Sequence, residues 1–513
     1  MQAGYLTDVA YTGEFHDHLA PAWLDYIAAI NGYATRPLDR HFTWCDLGCG
    51  KGITSLLLAA THPQGEFHAT DLNPAHIEYA ERLRSAAAVD NLKLRAQSFA
   101  ETLQSDLPAF DFIVLHGVYS WVPDTAREEI HRLLRTKLKP GGLAMVSYNA
   151  MPGWAALQPI RQMMHDYAQT IPGDSIAKAR AAYAYVEALA KSGAGYFASA
   201  PAAAAHLQEI AAQDIRYVAH EYITSHAEPF YVAQVARAMS STGLSFAGSM
   251  TAVENYIDWI VPSQLRGLAG AAPDRVMSET HLDFVANTRF RRDLFTAQPP
   301  RARPASVPLS AFDPVHFCLA DLPERLSRRK VPPLLQQYLQ SSAQPADALY
   351  ACLAEGPTDA RELHRALGSG SEDGTSSLLQ ALVAARHVLP CAPLRAAPGW
   401  LSANTALIDA GLREQIPRIP LACRATGGAS YCEVVYASAI EAASQFEHEG
   451  AAAAAVLTRL RLHEHPVNRR TVAGDTRAAT DDEVREYVMA TWRTLHDPAH
   501  ADGRLLRLLG ILS

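Results

Sequence analysis

The seven residues Asp46-Leu47-Gly48-Cys49-Gly50-Lys51-Gly52 have the make-up of a backbone crevice for a ligand. Glycines at 48, 50 and 52 let the main chain turn sharply and approach a bound molecule more closely than side chains permit. In the dinucleotide pattern G-x-G-x-x-G a helix N-terminus receives pyrophosphate, whereas here the third glycine comes one position early. Asp71 follows Asp46 by 25 residues, close to the ~20-residue offset of a ribose-binding acid. A carboxylate there, followed by Leu72, can accept hydrogen bonds from both ribose hydroxyls, or it can merely start the Asn73-Pro74 turn. Gln97-Ser98-Phe99-Ala100-Glu101 is placed to border an adenine through Ser98 and Phe99, although Phe99 reads equally well as core. The run His116-Gly117-Val118-Tyr119-Ser120-Trp121 adds aromatic faces that would suit a cation. Trp121 could instead pack under the Pro123 turn, and His116 could be a satisfied half-buried histidine.

These residues need a scaffold, and the pattern from about 42 to 148 supplies one. Short β-rich runs at Phe42–Leu47, Glu66–Thr70, Leu92–Ala96, Phe110–Leu115 and Leu143–Tyr148 alternate with helical runs near 51–61, 74–88 and 124–138. Asn73 is placed to cap the second helix, with Pro74 at its first position. Such alternation predicts an α/β, Rossmann-like parallel sheet covered on both faces. The glycine loop then follows the first strand, Asp71 ends the second, and the His116 loop follows the fourth.

From 155 to 230 the chain turns Ala-rich and helical, as in Ala177–Ala190 and Ala202–Ala212. A helix at Tyr231–Gly243 and the strand-like Leu244–Gly248 then predict a return to the sheet, finishing near Phe290–Phe295. We therefore expect a core with an N-terminal cap at 1–154, a helical insertion at 155–230 and the returning segment at 231–298. The Pro-rich stretch 299–308 reads as a linker to a mainly helical C-terminal domain at 309–513. Within that domain Asp347–Ala354, Asp359–Leu367, Ser376–Ala385 and the apolar His387-Val388-Leu389 follow the order of a winged-helix unit. Its third helix carries no Arg or Lys before Arg386, which argues for protein contact over nucleic-acid reading.

Composition narrows the partners. With 45 Lys+Arg against 53 Asp+Glu the formal charge is −8, so no basic field draws nucleic acid or anionic lipid. The seven cysteines are scattered without a C-x-x-C pair, which argues against a disulfide framework or a thiolate metal site. No basic segment and apolar run opens the chain, and no stretch is long enough to span a bilayer, so a cytoplasmic protein is expected. His463-Glu464-His465 lacks a third ligand and reads as surface, and Glu14-Phe15-His16-Asp17-His18 reads as a solvated helix start. No metal is expected.

Asp46–Gly52, Asp71 and Phe110–Leu115 resemble the motifs of class I S-adenosylmethionine-dependent methyltransferases. Tyr148-Asn149-Ala150-Met151-Pro152-Gly153-Trp154, His220-Glu221-Tyr222, Pro229-Phe230-Tyr231 and Asn287-Thr288-Arg289-Phe290-Arg291-Arg292-Asp293 are similar to bacterial methyltransferases with a regulatory domain. That group includes the rickettsial protein lysine methyltransferases. The resemblance implies S-adenosylmethionine as cofactor, contacted by Asp46, Gly48, Cys49, Gly50, Gly52, Asp71, Leu72, Ser98, Phe99, His116 and Trp121. It also implies Tyr5 and Tyr11 near the cofactor, and a C-terminal domain that holds a protein substrate, with lysine the favoured acceptor. A general base would come from His116, Tyr119 or Tyr148. No Asn-Pro-Pro-Tyr follows the fourth strand, which weakens amide and adenine acceptors. A small-molecule methyltransferase, a non-catalytic cofactor-binding regulator and a homodimer remain open alternatives.

Overall fold

The structure, a computed structural model, describes residues 13–342, 346–368, 370–393, 399–470 and 476–512. The expectation for Tyr5 and Tyr11 lies outside the described residues. A seven-stranded sheet forms the centre. Its strands are β1 (Phe42–Leu47), β2 (Gly65–Asp71), β3 (Leu92–Ala96), β4 (Phe110–Leu115), β5 (Leu138–Asn149), β6 (Ser245–Ser249) and β7 (Phe290–Thr296), in the order β3-β2-β1-β4-β5-β7-β6. β1 to β5 are parallel, while β7 runs antiparallel to both β5 and β6. The order reverses direction between β1 and β4, which opens a crevice beyond their carboxyl ends, where ligands of such sheets bind.

Helices α1 (Pro21–Ile30), α2 (Ile53–Thr61), α3 (Pro74–Ala86), α4 (Phe99–Gln104) and α5 (Asp124–Lys137) cover the sheet. The expected cap on α3 is present, Asn73 Oδ1 accepting from the Ala75 N–H at 3.0 Å behind Pro74. β1 and β4 are buried at every residue, as strands covered on two faces must be. Trp44, Phe67 and Phe112 are fully buried on one face, each stabilising the fold by about 1.5–3 kcal/mol.

The helical insertion comprises α6 (Gln158–Gln169), α7 (Ser175–Lys191), α8 (Gly195–Ser199), α9 (Pro201–Ala211) and α10 (Ile215–Tyr222). It has a core of its own, with Met164, Val186, Leu207 and Tyr222 among the buried residues. After α11 (Val232–Ser241) the chain returns through β6, the short helices α12 (Ile257–Ile260) and α13 (Ser263–Gly270), and α14 (Arg275–Ala286) to β7. The strands expected near 244–248 and 290–295 are therefore the outer edge of the same sheet.

The region after 308 is not a separate body. Phe42, Trp44, Phe67, Phe112 and Met145 of the sheet share one continuous core with Leu309, Phe312, Phe317, Leu382, Leu407, Leu421 and Val456. The helix Gly399–Arg413 packs on α2 and α3. Even the linker contributes, through buried Val307. In the stretch that the sequence suggested as a winged-helix unit, helices lie at Ala346–Ala354, Ala360–Leu367 and Glu372–Ala384, and strand Val388–Cys391 runs antiparallel to His316–Leu319. The third helix buries Thr375, Ser376 and every residue from Leu378 to Ala384, and its exposed first turn carries the acidic Glu372 and Asp373. Among the described residues no helix is long and apolar enough to cross a membrane.

Candidate active site

The glycine loop leaves β1 and turns into α2 in left-handed backbone. Gly48 has φ +87° and Gly50 has φ +55°, conformations that side chains rarely adopt. A Cβ on Gly48 would stand 2.5 Å from Val118 Cγ2, so this glycine lets the β1 loop lie against the β4 loop. At Gly50 the reason differs, because no heavy atom lies within 4 Å of where a Cβ would be. The main chain there borders open space. Gly52 caps α2 at φ +68° and abuts Ala80.

Asp71 fixes this loop. Its Oδ2 accepts from the Gly50 N–H at 2.8 Å, and its Oδ1 accepts from the Asn73 N–H at 2.9 Å and faces His76 Nδ1 at 3.2 Å. The Gly48 and Cys49 N–H groups both donate to Thr70 O, at 2.8 and 3.0 Å. Asp71 thus clasps the tip of β2 to the loop of β1, with a lone pair to spare on Oδ2 for a ligand hydroxyl. Leu72 beside it is half-buried.

Asp46 lies beneath the loop and accepts from the Ser55 hydroxyl at 3.0 Å. Burial pushes its carboxyl up to about 7, against the Ser55 hydrogen bond and with the Asp71 charge adding to the shift. Cys49 is half-buried in the loop. Burial raises its thiol well above the usual range, which disfavours the thiolate.

Ser98 is the cap of α4, a helix that the strand pattern did not announce. Its hydroxyl accepts from the Glu101 N–H at 3.2 Å, and Glu101 Oε2 accepts from the Ser98 N–H at 2.8 Å. Ser-x-x-Glu was the signal for this capping box. Phe99 is half-buried against the core under β4, so it has both the contacts of a core residue and an open side.

Of the three candidate bases only His116 stands at the crevice. Tyr119 is buried with its hydroxyl 3.0 Å from His131 Nε2, and burial pushes that hydroxyl up to about 12. Tyr148 is buried and donates its hydroxyl to Asp293, with its ionisation driven well above the ordinary range by burial and then by the Asp293 charge. Neither tyrosine can take a proton near neutral pH, which corrects the sequence reading. Trp121 is half-buried in the single turn Tyr119–Trp121.

A second correction concerns the segment read as a solvated helix start. His18 is buried, and with half-buried His16 it folds onto His116. His18 Nε2 lies 3.3 Å from His116 Nδ1, and the His16 and His116 ring centres are 4.1 Å apart. Burial lowers all three, His16 to about 3, His116 well below its ordinary value, so the cluster is neutral at pH 7. The sequence held no sign of this meeting, which joins residues 98 positions apart. By contrast, His463 and His465 are engaged on the Asp409 carboxylate and the Leu412 carbonyl.

Behind the site lies a buried charge cluster that sequence reasoning also missed. Arg291 on β7 bonds Asp293, Asp283 and Glu279 at 2.9, 2.7 and 2.9 Å. All four groups are buried. The same cluster receives the Tyr148 hydroxyl through Asp293. Arg127 of α5 makes the other tie, bonding Glu228 and lying 5.1 Å over the Phe230 ring.

Residues 38–216 match the family described as a methyltransferase domain, and residues 214–297 match the predicted methyltransferase regulatory domain. An uncharacterized protein of Synechocystis sp. is 33% identical over 385 residues, 74% of this chain and 74% of that protein. An uncharacterized protein of Rickettsia prowazekii is 36% identical over 157 residues, which are 31% of this chain and 62% of that protein. The structure of PKMT2 from Rickettsia typhi in complex with AdoHcy is similar at a TM-score of 0.68 and 19% identity, covering 94% of this chain and 98% of that chain.

Proposed function

The chain belongs to the class I S-adenosylmethionine-dependent methyltransferases with a methyltransferase regulatory domain, and from that premise we propose that it methylates a protein side chain, with lysine the favoured acceptor. The observation that carries the reading is Gly50, open to the crevice and held by Asp71 at the point where the strand order reverses. Those residues fit the nucleoside end of the cofactor: main chain that admits close approach, and an acid with a free lone pair for a ribose hydroxyl. When bound, S-adenosylmethionine supplies a methyl group already activated by its sulfonium. Gly48, Gly50 and Gly52 would hold it along the loop, Asp71 and Leu72 at the ribose, and Ser98 and Phe99 beside the base. Cys49, His116 and Trp121 would line the remaining crevice, and Asp46 would support the loop from below.

An acceptor lysine must lose its proton, since a free amine titrates near ~10.4. Burial against the β4 loop and a neighbouring positive charge both lower that value. Neutral His116 can accept a hydrogen bond at this edge, but the burial that lowers it makes it a weak proton acceptor. A protein acceptor is favoured because the fold likeness extends through the C-terminal region, which cofactor binding does not require. Tritiated S-adenosylmethionine and a cell lysate test the proposal, and label is expected in acid-stable protein bands and, after hydrolysis, in methylated lysine. Label confined to small molecules, or no transfer with intact cofactor binding, would overturn it.

Asp46 makes cofactor affinity depend on pH. With its carboxyl at about 7 in the free protein, a cationic ligand on the loop favours the ionised form and releases a proton. Affinity is expected to rise with pH from 6 to 7, by up to about tenfold per unit if the proton is fully displaced, and to level above that. Calorimetry in two buffers of different ionisation heat reads the proton directly. A Kd flat between pH 6 and 8 would remove Asp46 from the binding equilibrium.

A further inference from the structure

We propose that His16, His18 and His116 form a binding site for a divalent transition metal of the zinc class, at the edge where β4 opens into the crevice. Their ligand-capable nitrogens lie within 4.8 Å of one another. His18 Nε2 and His116 Nδ1 are 3.3 Å apart, and zinc–nitrogen bonds of ~2.0–2.1 Å in a tetrahedron set neighbouring nitrogens ~3.3–3.4 Å apart. This pair already has the separation of two ligands on one ion. A hydrogen bond between the two rings would account for the pair alone, not for a third imidazole gathered against them. His16 completes the set if its ring closes in by roughly 1–1.5 Å, the difference from tetrahedral spacing. Its backbone N–H is fixed on Thr54 Oγ1 at 3.0 Å, and among the described residues no hydrogen bond holds its ring.

Support comes from behind the ligands. The other ring nitrogen of His18, Nδ1, faces Asp17 Oδ1 at 3.6 Å, and Asp17 is paired with Arg386. At that distance Asp17 acts on the ring through its charge and not through a hydrogen bond, and an approach of roughly 0.5 Å would make it the carboxylate that orients a ligating histidine. Three imidazoles without a thiolate suit zinc, copper, nickel or iron. Three protein ligands leave a fourth position open for water or for an oxygen or nitrogen of a substrate. The charge of Arg292 bears on all three rings and opposes a cation, and Asp17, already paired with Arg386, offsets it only in part. A metal held by His116 Nδ1 also leaves that ring no lone pair for a proton, which makes ion binding and general base exclusive uses of one side chain.

Tag-free full-length protein, stripped by chelator, is titrated with Co2+ and followed by its visible d–d absorption, with no cofactor or acceptor present. The result is therefore independent of the methyl-acceptor reading. One equivalent bound with tetrahedral intensity is expected. His18→Gln and His116→Gln should each weaken it more than ~100-fold, and Asp17→Asn about 10–100-fold. His463→Gln with His465→Gln should change nothing. Because His18 is buried, the wild-type melting temperature with and without Zn2+ gives a second measurement that needs no variant. No cobalt band, a weak octahedral one, a band that survives His116→Gln, or an unchanged melting temperature would each overturn the site.

Discussion

Replacing Asp71 by asparagine is expected to weaken S-adenosylmethionine binding about 10- to 10²-fold while the far-ultraviolet circular dichroism stays unchanged. The spare Oδ2 lone pair would accept one charge-assisted hydrogen bond from a ribose hydroxyl, at ~1.5–3 kcal/mol, and ~1.4 kcal/mol is tenfold. The clasp suffers as well. One carboxylate oxygen receives the Gly50 N–H and the other the Asn73 N–H, so an amide must turn its NH2 toward one of two donors, whichever way it faces. Asn73→Ala, which removes only the α3 cap, is the control for loop disturbance. Calorimetry showing Asp71→Asn within threefold of wild type would sink the assignment of Asp71 to the ribose.

The largest effect on stability is expected at Arg291. Arg291→Met leaves Glu279, Asp283 and Asp293 buried in one another's company without their cation. Breaking a buried pair by removing one partner costs about 3–5 kcal/mol, because the remaining charge is uncompensated. Burial already holds the Asp283 carboxyl up at about 6 and raises that of Asp293. Without Arg291 both move higher still, so the acids protonate as pH falls and the mutant regains stability. The gap between wild type and Arg291→Met in urea midpoint should therefore be wide at pH 8 and narrower at pH 5. A loss under about 1 kcal/mol at pH 8, or a gap that widens on acidification, would contradict this account.

What the sequence discloses here is what is local to a few turns of chain. The glycine loop, the Asn73-Pro74 helix start and the alternating β and α runs carry their own backbone instructions, and the structure places them within a residue or two of the expected positions, except that the fifth strand begins at Leu138, five residues before the expected Leu143, and runs through Pro140-Gly141-Gly142. Five strands and the acid at the tip of β2 are enough to locate the crevice. Contacts between distant segments were hidden. Nothing in Glu14–His18 says that it docks on a loop about 100 residues on, because two histidines with acidic neighbours are equally at home in water. Tyr148 looked like a base until β7 brought Asp293 to its hydroxyl, a pairing across the whole insertion. The Pro-rich stretch at 299–308 is irregular backbone. A break in secondary structure does not imply a break in the core, and Val307 and Leu309 are both buried in the layer that joins the two regions.

That common layer has an evolutionary corollary. A region with its own core can be exchanged between genes like a cassette, but here the aromatic face of the sheet is also the floor of the C-terminal region. A change of side-chain volume at Trp44 or Phe312 is felt on both sides at once. Substitutions in the C-terminal half are therefore tied to the packing beneath the crevice, and a change of volume on one side calls for a compensating change on the other.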